Sequence, residues 1–191
     1  MERILLTAKL KLAPTPEQKE WLWEMSRAAT RLYNLALEQR RWHWLRYHHT
    51  RPGITYAQQN AQLVEFKEAF PEFKVLYSLV AQEVLRQVEK NFNSFFGRLK
   101  SQRANGQQQT ARPPRFKSSR YFFTLCYVQS GFVVENGRLV LSGGQGRWER
   151  IAIAGARWSA SPTSRVWCQG IPLKERGTRR STARCKTTGR W

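Results

Sequence analysis

Hydrophobic and polar positions alternate along the first segment of the chain, "RILLTAKLKL". Apolar side chains fall on one face, and Thr7, Lys9 and Lys11 fall on the other. A period of two is typical of a strand with one buried face, so the pattern predicts a half-buried strand. Pro14 ends it, because proline has no amide hydrogen to donate to a sheet.

Three helices are predicted next. The first has Thr15 as its N-cap and Gln18 three residues later, a capping-box spacing, and runs to about Tyr47. Its apolar stripe recurs every three or four residues and consists of Leu22, Met25, Ala29, Leu32 and Ala36. A second helix begins after Thr55 and ends at Pro71, and a third spans about Leu79 to Leu99. Three such stripes favour a small bundle.

The pattern changes to strands after a polar linker at residues 101–110. "YFFTLCYVQ" is rich in aromatic and β-branched residues, "FVVENGRLVL" carries the Asn-Gly signal of a type I′ hairpin, and "RWERIAIA" alternates. The fold class is therefore α+β. Residues 1–13 and 111–154 are predicted to form a β-barrel-like lobe closed by the first strand, and residues 14–100 a helical lobe. "SGGQGR" is interpreted as a hairpin turn rather than a phosphate-binding loop.

Residues 155–191 show no sustained period and are rich in Arg, Ser, Thr and Gly. We expect an irregular, basic and disordered tail. Scattered Trp and Cys residues fit disorder poorly, so an out-of-frame translation is the alternative hypothesis. Translating the same DNA in its other frames tests it, since the absence of a continuous open frame would contradict it.

Charge and composition narrow the function. The chain has 191 residues and a formal charge of +20, which favours an anionic partner such as nucleic acid. Without a membrane span or a signal peptide, a cytoplasmic protein without a membrane partner is expected. All 13 acidic residues are Glu, which argues against a two-metal nuclease site. The three cysteines form no CxxC pair and are interpreted as free thiols.

Four segments in order resemble the N-terminal part of the OrfB/TnpB proteins of bacterial insertion sequences. They are "AKLKLAPTPEQKEWL", "ATRLYNLALEQRR" with its Tyr-Asn dipeptide, "VLRQVEKNFNSFFGRLK" and "RPPRFKSSRYF". The resemblance covers about residues 4–142. It implies a prokaryotic, nucleoid-associated protein whose partners are DNA and a guide RNA transcribed from the element. Its first two helices suggest the helix-turn-helix label of older descriptions, although the turn "HHTRPGIT" is long for that motif.

The family cuts DNA with a RuvC-like domain that holds Mg²⁺ and carries a zinc site. Neither Asp residues nor CxxC pairs occur in this chain. We therefore expect a nucleic-acid-binding fragment that is not an enzyme and holds no cofactor. The alternatives are a nuclease-dead transcriptional repressor and a non-functional pseudogene product. The oligomeric state is not predicted.

Candidate nucleic-acid-binding residues combine cations with stacking and amide side chains. The set consists of Lys9, Lys11, Arg27, Arg31, Asn34, Arg86, Lys90, Arg112, Arg115, Phe116, Lys117 and Arg120. For the four cations from Arg112 to Arg120, phosphate contact is favoured over a solvated loop. For the helix cations, nucleic-acid contact and a solvated helix face are equally weighted, since charged helix faces are usually just solvated. The aromatic residues Tyr121 to Phe123 are expected mainly in the core.

Overall fold

The first helix is long because its N-terminus is capped and its apolar stripe is continuous. In the computed structural model, which describes residues 10–128 and 130–154 and the backbone of residues 6–9, 165–169 and 183–188, α1 spans Pro16–Tyr47. Thr15 Oγ1 accepts from the amide of Gln18, and the Gln18 side chain accepts from the amide of Thr15. The predicted capping box and stripe are both confirmed, since every residue of the stripe is fully buried.

Three further helices and one 3₁₀ helix follow α1. They are α2 (Tyr56–Ala61), α3 (Leu63–Ala69), the 3₁₀ helix (Pro71–Val75) and α4 (Ser78–Ala104). Helix α4 packs against both α1 and α2. Within the described part of the chain, every helix is too short or too polar to cross a bilayer.

The prediction of one continuous second helix is wrong, because the helix breaks at Gln62. Just before this break and at it, glutamine side chains bond to α1. Gln59 Nε2 donates to the carbonyl oxygen of Ala36 at 2.9 Å, and Gln39 Nε2 donates to Gln62 Oε1 at 2.7 Å. These tertiary bonds hold α2 against α1, and α3 starts again after Gln62.

The strands form an open antiparallel sheet. Its elements are β1 (Leu6–Ala13), β2 (Phe132–Glu135), β3 (Arg138–Ser142), β4 (Trp148–Ala154), β5 (Arg165–Gln169) and β6 (Ala183–Thr188). The order is β2-β3-β4-β1-β6-β5, so the first strand pairs with β4, with Leu12 opposite Ile153. The α+β class is confirmed, but the strands do not close into a barrel, because β2 and β5 pair on one side only.

The hairpin and its turns follow the local sequence. Asn136 and Gly137 have φ values of 49° and 70°, as a type I′ turn between β2 and β3 requires, so that prediction is confirmed. The "SGGQGR" segment is a turn between β3 and β4, where the amide of Gly143 donates to the carbonyl of Arg147 at 2.7 Å. Helix α4 extends beyond its predicted end, to Ala104.

The segment "YFFTLCYVQ" is not one of the sheet strands, which corrects its assignment. Phe123, Leu125 and Tyr127 are buried in alternation, so the period-two pattern is genuine. However, the amide of Phe123 donates to Ser26 Oγ of α1 at 2.7 Å, and the buried side chains of the segment pack in one cluster with those of the helices. An extended segment packed on helices has the same burial period as a strand in a sheet.

Helices and sheet share one hydrophobic cluster. It runs from Leu22 and Leu85 in the helices through Leu125 to Leu141 and Ile151 in the strands. The segment from Phe123 to Tyr127 is therefore anchored in the core, and this anchor fixes the position of the residues that precede it. The domain boundaries given above stay predictions. Within the expected irregular tail, the described backbone forms β5 and β6, and its other residues lie outside the described part.

Candidate nucleic-acid interface

An open groove of about 630 Å³ lies between α4 and the segment that follows it. Helix α4 contributes Asn91, Ser94, Arg98 and Gln102, which recur at spacings of three and four and so share one helix face. The opposite wall is residues 110–115 with Lys117, which we term the basic lip. Tyr33 of α1 lies between the two walls. The groove is thus built by three parts of the chain.

The basic lip is attached to α1 by one asparagine. Asn34 Nδ2 donates to the carbonyl oxygen of Lys117 at 2.8 Å, and Asn34 Oδ1 accepts from the amide of Lys117 at 2.9 Å. At the other end, Gln102 Nε2 donates to Thr110 Oγ1 at 2.8 Å. Both ends of the lip are therefore held. The tandem prolines between them restrict φ and reduce the number of conformations available to the lip.

Lys117 is turned toward the protein. Its Nζ lies 4.1 Å from the ring centroid of Phe123 and 4.4 Å from that of Tyr33. Burial lowers the pKa of Lys117, partly offset by the nearby Cys126. The two ring faces act in the opposite direction, because they attract the charged ammonium. Lys117 therefore helps to anchor the lip to the core, although it also lines the groove.

Tyr33 closes the base of the groove. Its side chain is almost entirely buried, and its hydroxyl oxygen accepts from Asn91 Nδ2 at 2.8 Å. Burial raises the pKa of Tyr33, and the bond from Asn91 only partly offsets this rise. A phenol whose pKa lies above its ordinary value stays neutral at physiological pH. The base of the groove therefore carries no negative charge that would repel a phosphate.

Three arginines give the groove its positive charge. Arg98, Arg112 and Arg115 are exposed, and none of them makes an ion pair with a described residue. The sequence from Lys90 to Val134 holds eight cations and no acidic residue. Guanidinium groups with unused donors suit phosphate oxygens, which they bind in a bidentate manner. The three arginines are therefore suited to contact the phosphates of a polyanion.

The predicted helix cations lie elsewhere and are paired. Arg27 pairs with Glu20, and Arg31 Nη1 lies 2.6 Å from Glu72 Oε2. Arg86 and Lys90 share the carboxylate of Glu83, at 2.7 Å and 2.9 Å. Their charges are offset by acidic neighbours, so they add less to an anionic surface than the groove arginines do.

The remaining predicted residues are divided among several places. Lys11 is exposed on β1, and the side chain of Lys9 lies outside the described part of the chain. Arg120 is exposed just beyond the lip. Phe116 is 50% exposed and lies beneath the guanidinium of Arg41, whose Cζ is 5.2 Å from the ring centroid. Phe123 is in the core as predicted.

Tyr121 differs from expectation, since it is 76% exposed. The strand assignment placed it in a core, but the described segment becomes buried only from Phe123 onward. Sequence reasoning also missed Arg98 and Arg41. The polar spacing at Asn91, Ser94, Arg98 and Gln102 was available as a signal for Arg98. No local signal brings Arg41 next to Phe116.

Metal ligands are not grouped in the part of the chain that the structure describes, which holds no cluster of three or more His, Cys or acidic side chains. Cys126 is a free thiol, as predicted, and burial raises its pKa. The groove therefore presents hydrogen-bond donors and cations rather than carboxylates.

Comparison with known families concerns the segment that carries β1 and α1. Residues 1–48 match the helix-turn-helix domain of the IS605 OrfB family. The resemblance to the N-terminal portion of this family is thereby confirmed, and the match indicates DNA binding, the usual role of helix-turn-helix domains. Over residues 6–48 the structure contains one strand and one uninterrupted helix. A comparison with curated proteins found no match.

Proposed function

We propose that this chain binds nucleic acid in the groove between α4 and the basic lip, and that its ligands are DNA and a guide-type RNA. The observation that carries the proposal is the set of three unpaired arginines facing one open groove. The OrfB match supports DNA as one ligand. The extent of the acid-free stretch supports a ligand with many phosphates rather than a single anion.

Binding acts through shape and charge. Arg98 on one wall and Arg112 and Arg115 on the other contact phosphates on either side of a backbone, while the rigid lip sets their separation. Such contacts position a duplex without reading its bases. Sequence specificity then comes from base pairing between a guide RNA and its target, with the protein recognising the form of the duplex.

A salt titration with arginine variants tests the groove. Arg112→Ala and Arg115→Ala should each weaken binding to every probe and reduce the slope of log K against log salt by about 1. Arg31→Ala is the matched control, because this exposed arginine is already paired with Glu72. Equal slopes for all three variants, or an affinity of the parent protein that is independent of salt, would contradict the groove assignment.

A DNA-binding repressor is the second candidate, and the helix-turn-helix match favours it. The two functions differ in their preferred ligand. In a competition experiment, a guide RNA derived from the element should displace labelled duplex DNA if the chain acts with RNA. Displacement only by unlabelled duplex DNA would instead favour the repressor.

We further propose that this chain binds without cutting and needs no metal. The support is compositional, since the sequence holds no aspartate. Two-metal nucleases hold their ions with clustered carboxylates, commonly including aspartate. Incubating the protein with labelled DNA, guide RNA and Mg²⁺ should leave the DNA intact. Cleavage that tracks the protein through purification would refute this proposal.

A further inference from the structure

A row of exposed aromatic side chains continues from the groove along the end of α1. Trp44, Phe96 and Phe116 are 54%, 47% and 50% exposed. The Trp44 ring lies 6.5 Å from Phe96 and stacks on His48 at 5.1 Å between centroids. We term these four side chains, Trp44, His48, Phe96 and Phe116, the aromatic ledge.

The ledge adjoins the groove through Phe116. This residue stands between Arg115 and Lys117, both of which line the groove. Arg41 covers the Phe116 ring and lies one turn before Trp44 on the same face of α1. A strand that leaves the groove at Arg115 therefore meets Phe116, then Arg41, then Trp44. Cations and rings alternate along that path.

The two chain segments that build the ledge contain no acidic residue. Its residues come from two segments, 39–64 and 90–134, and neither contains an acidic residue. The first segment contributes the exposed cations Arg41, Arg46 and Arg51, whereas its Arg40 lies beside Glu89. The second segment contributes eight cations, of which Lys90 pairs with Glu83 and Lys117 turns toward the core. Folding brings the two acid-free segments together at the contacts of Trp44 with Phe96 and of Arg41 with Phe116. Exposed rings among cations suit unpaired bases, which stack on aromatic faces while their phosphates meet arginines.

We propose that the aromatic ledge is a stacking site for unpaired nucleotides that extend from the nucleic acid held in the groove. The inference rests on the proposed function, because the groove supplies the adjoining phosphate contacts. It also adds to that function, since the groove arginines hold backbone and the ledge holds bases. The occupant is a single-stranded segment, and a blunt duplex gains nothing from the ledge.

The test compares two probes on the full chain: an unstructured oligouridine and a blunt duplex with the same number of phosphates. Trp44→Ala should weaken oligouridine binding about tenfold, within the range for a base stacked on an aromatic ring, and change duplex binding less than about twofold. Trp44→Phe should keep most of the affinity. Trp42→Ala is the matched control, because Trp42 is similarly exposed on α1 but lies on a different face.

Several outcomes would overturn the ledge. Equal effects of Trp44→Ala and Trp42→Ala would do so, as would an equal loss for both probes. Sedimentation that shows a dimer broken by Trp44→Ala would assign the ledge to a second copy of the chain instead. Arg115→Ala separates the two proposals. If it weakens binding of both probes while Trp44→Ala has no effect, the groove proposal is supported and the ledge proposal is refuted. If neither probe binds the parent protein, both proposals fall.

Discussion

Replacing Asn34 should loosen the basic lip from α1. The side chain makes two hydrogen bonds to the backbone of one residue, Lys117, and is partly buried. Each such bond contributes about 0.5–1.5 kcal/mol net, so Asn34→Ala should lower the free energy of unfolding by about 2 kcal/mol. Asn93→Ala is the control, because Asn93 is exposed on α4.

The isosteric variant Asn34→Asp gives a pH signature. Its carboxylate still accepts from the amide of Lys117 but has no proton to donate to the carbonyl, so it should cost about 1–2 kcal/mol at neutral pH. The neutral acid regains that donor, which raises the folded-state pKa of the new carboxyl above about 3.9. The stability of Asn34→Asp is therefore restored below pH about 3.9, the ordinary carboxyl pKa, and is lost as the pH rises through the higher folded-state pKa.

Urea unfolding followed by circular dichroism measures both variants across the pH range. Both variants should also bind nucleic acid about fivefold more weakly, because a loosened lip must be ordered on binding at a cost of about 1 kcal/mol. The reasoning fails if Asn34→Ala is as stable as Asn93→Ala. It also fails if the deficit of Asn34→Asp does not change with pH.

Two further substitutions test how the lip and the sheet are placed. Ser26→Ala should cost about 1–3 kcal/mol in urea unfolding, because the buried amide of Phe123 loses its acceptor, whereas Thr30→Val removes only a bond within α1 and should cost less than about 1 kcal/mol. Gly144→Ala should cost about 1–3 kcal/mol or more, because a Cβ there would overlap the carbonyl oxygen of Lys74 in the 3₁₀ helix. Gly53→Ala meets no atom within 4 Å and should be neutral in thermal unfolding. Equal losses within either pair would contradict the assigned contacts.

Local sequence signals predicted the elements whose cause is local. The capping box at Thr15, the α1 stripe and the type I′ turn at Asn136-Gly137 each depend on residues within a few positions. The predictions failed where a distant residue decides. Gln62 interrupts a helical pattern where polar side chains bond to α1, and Phe123 has a strand-like neighbourhood whose backbone bonds to Ser26.

The candidate site was predicted in part for the same reason. Composition indicated a polyanion as the partner, and the Pro-Arg-Phe-Lys segment indicated where contact with it is expected. The sequence could not show which cations are left without an acidic partner and so can contact a phosphate. Arg31 lies 41 residues from its partner Glu72, so only the fold shows that this arginine is paired.

The sequence by itself determined the charge, the capped helix starts at Thr15 and Thr55, the hairpin turn and the basic character of the lip, because each depends on residue type or on neighbours along the chain. The tertiary structure decided that Asn34 holds Lys117 and that Arg98 faces Arg112 across a groove. It also brought two acid-free segments together beside Trp44. These contacts join residues tens of positions apart, and packing of the shared core sets their distance.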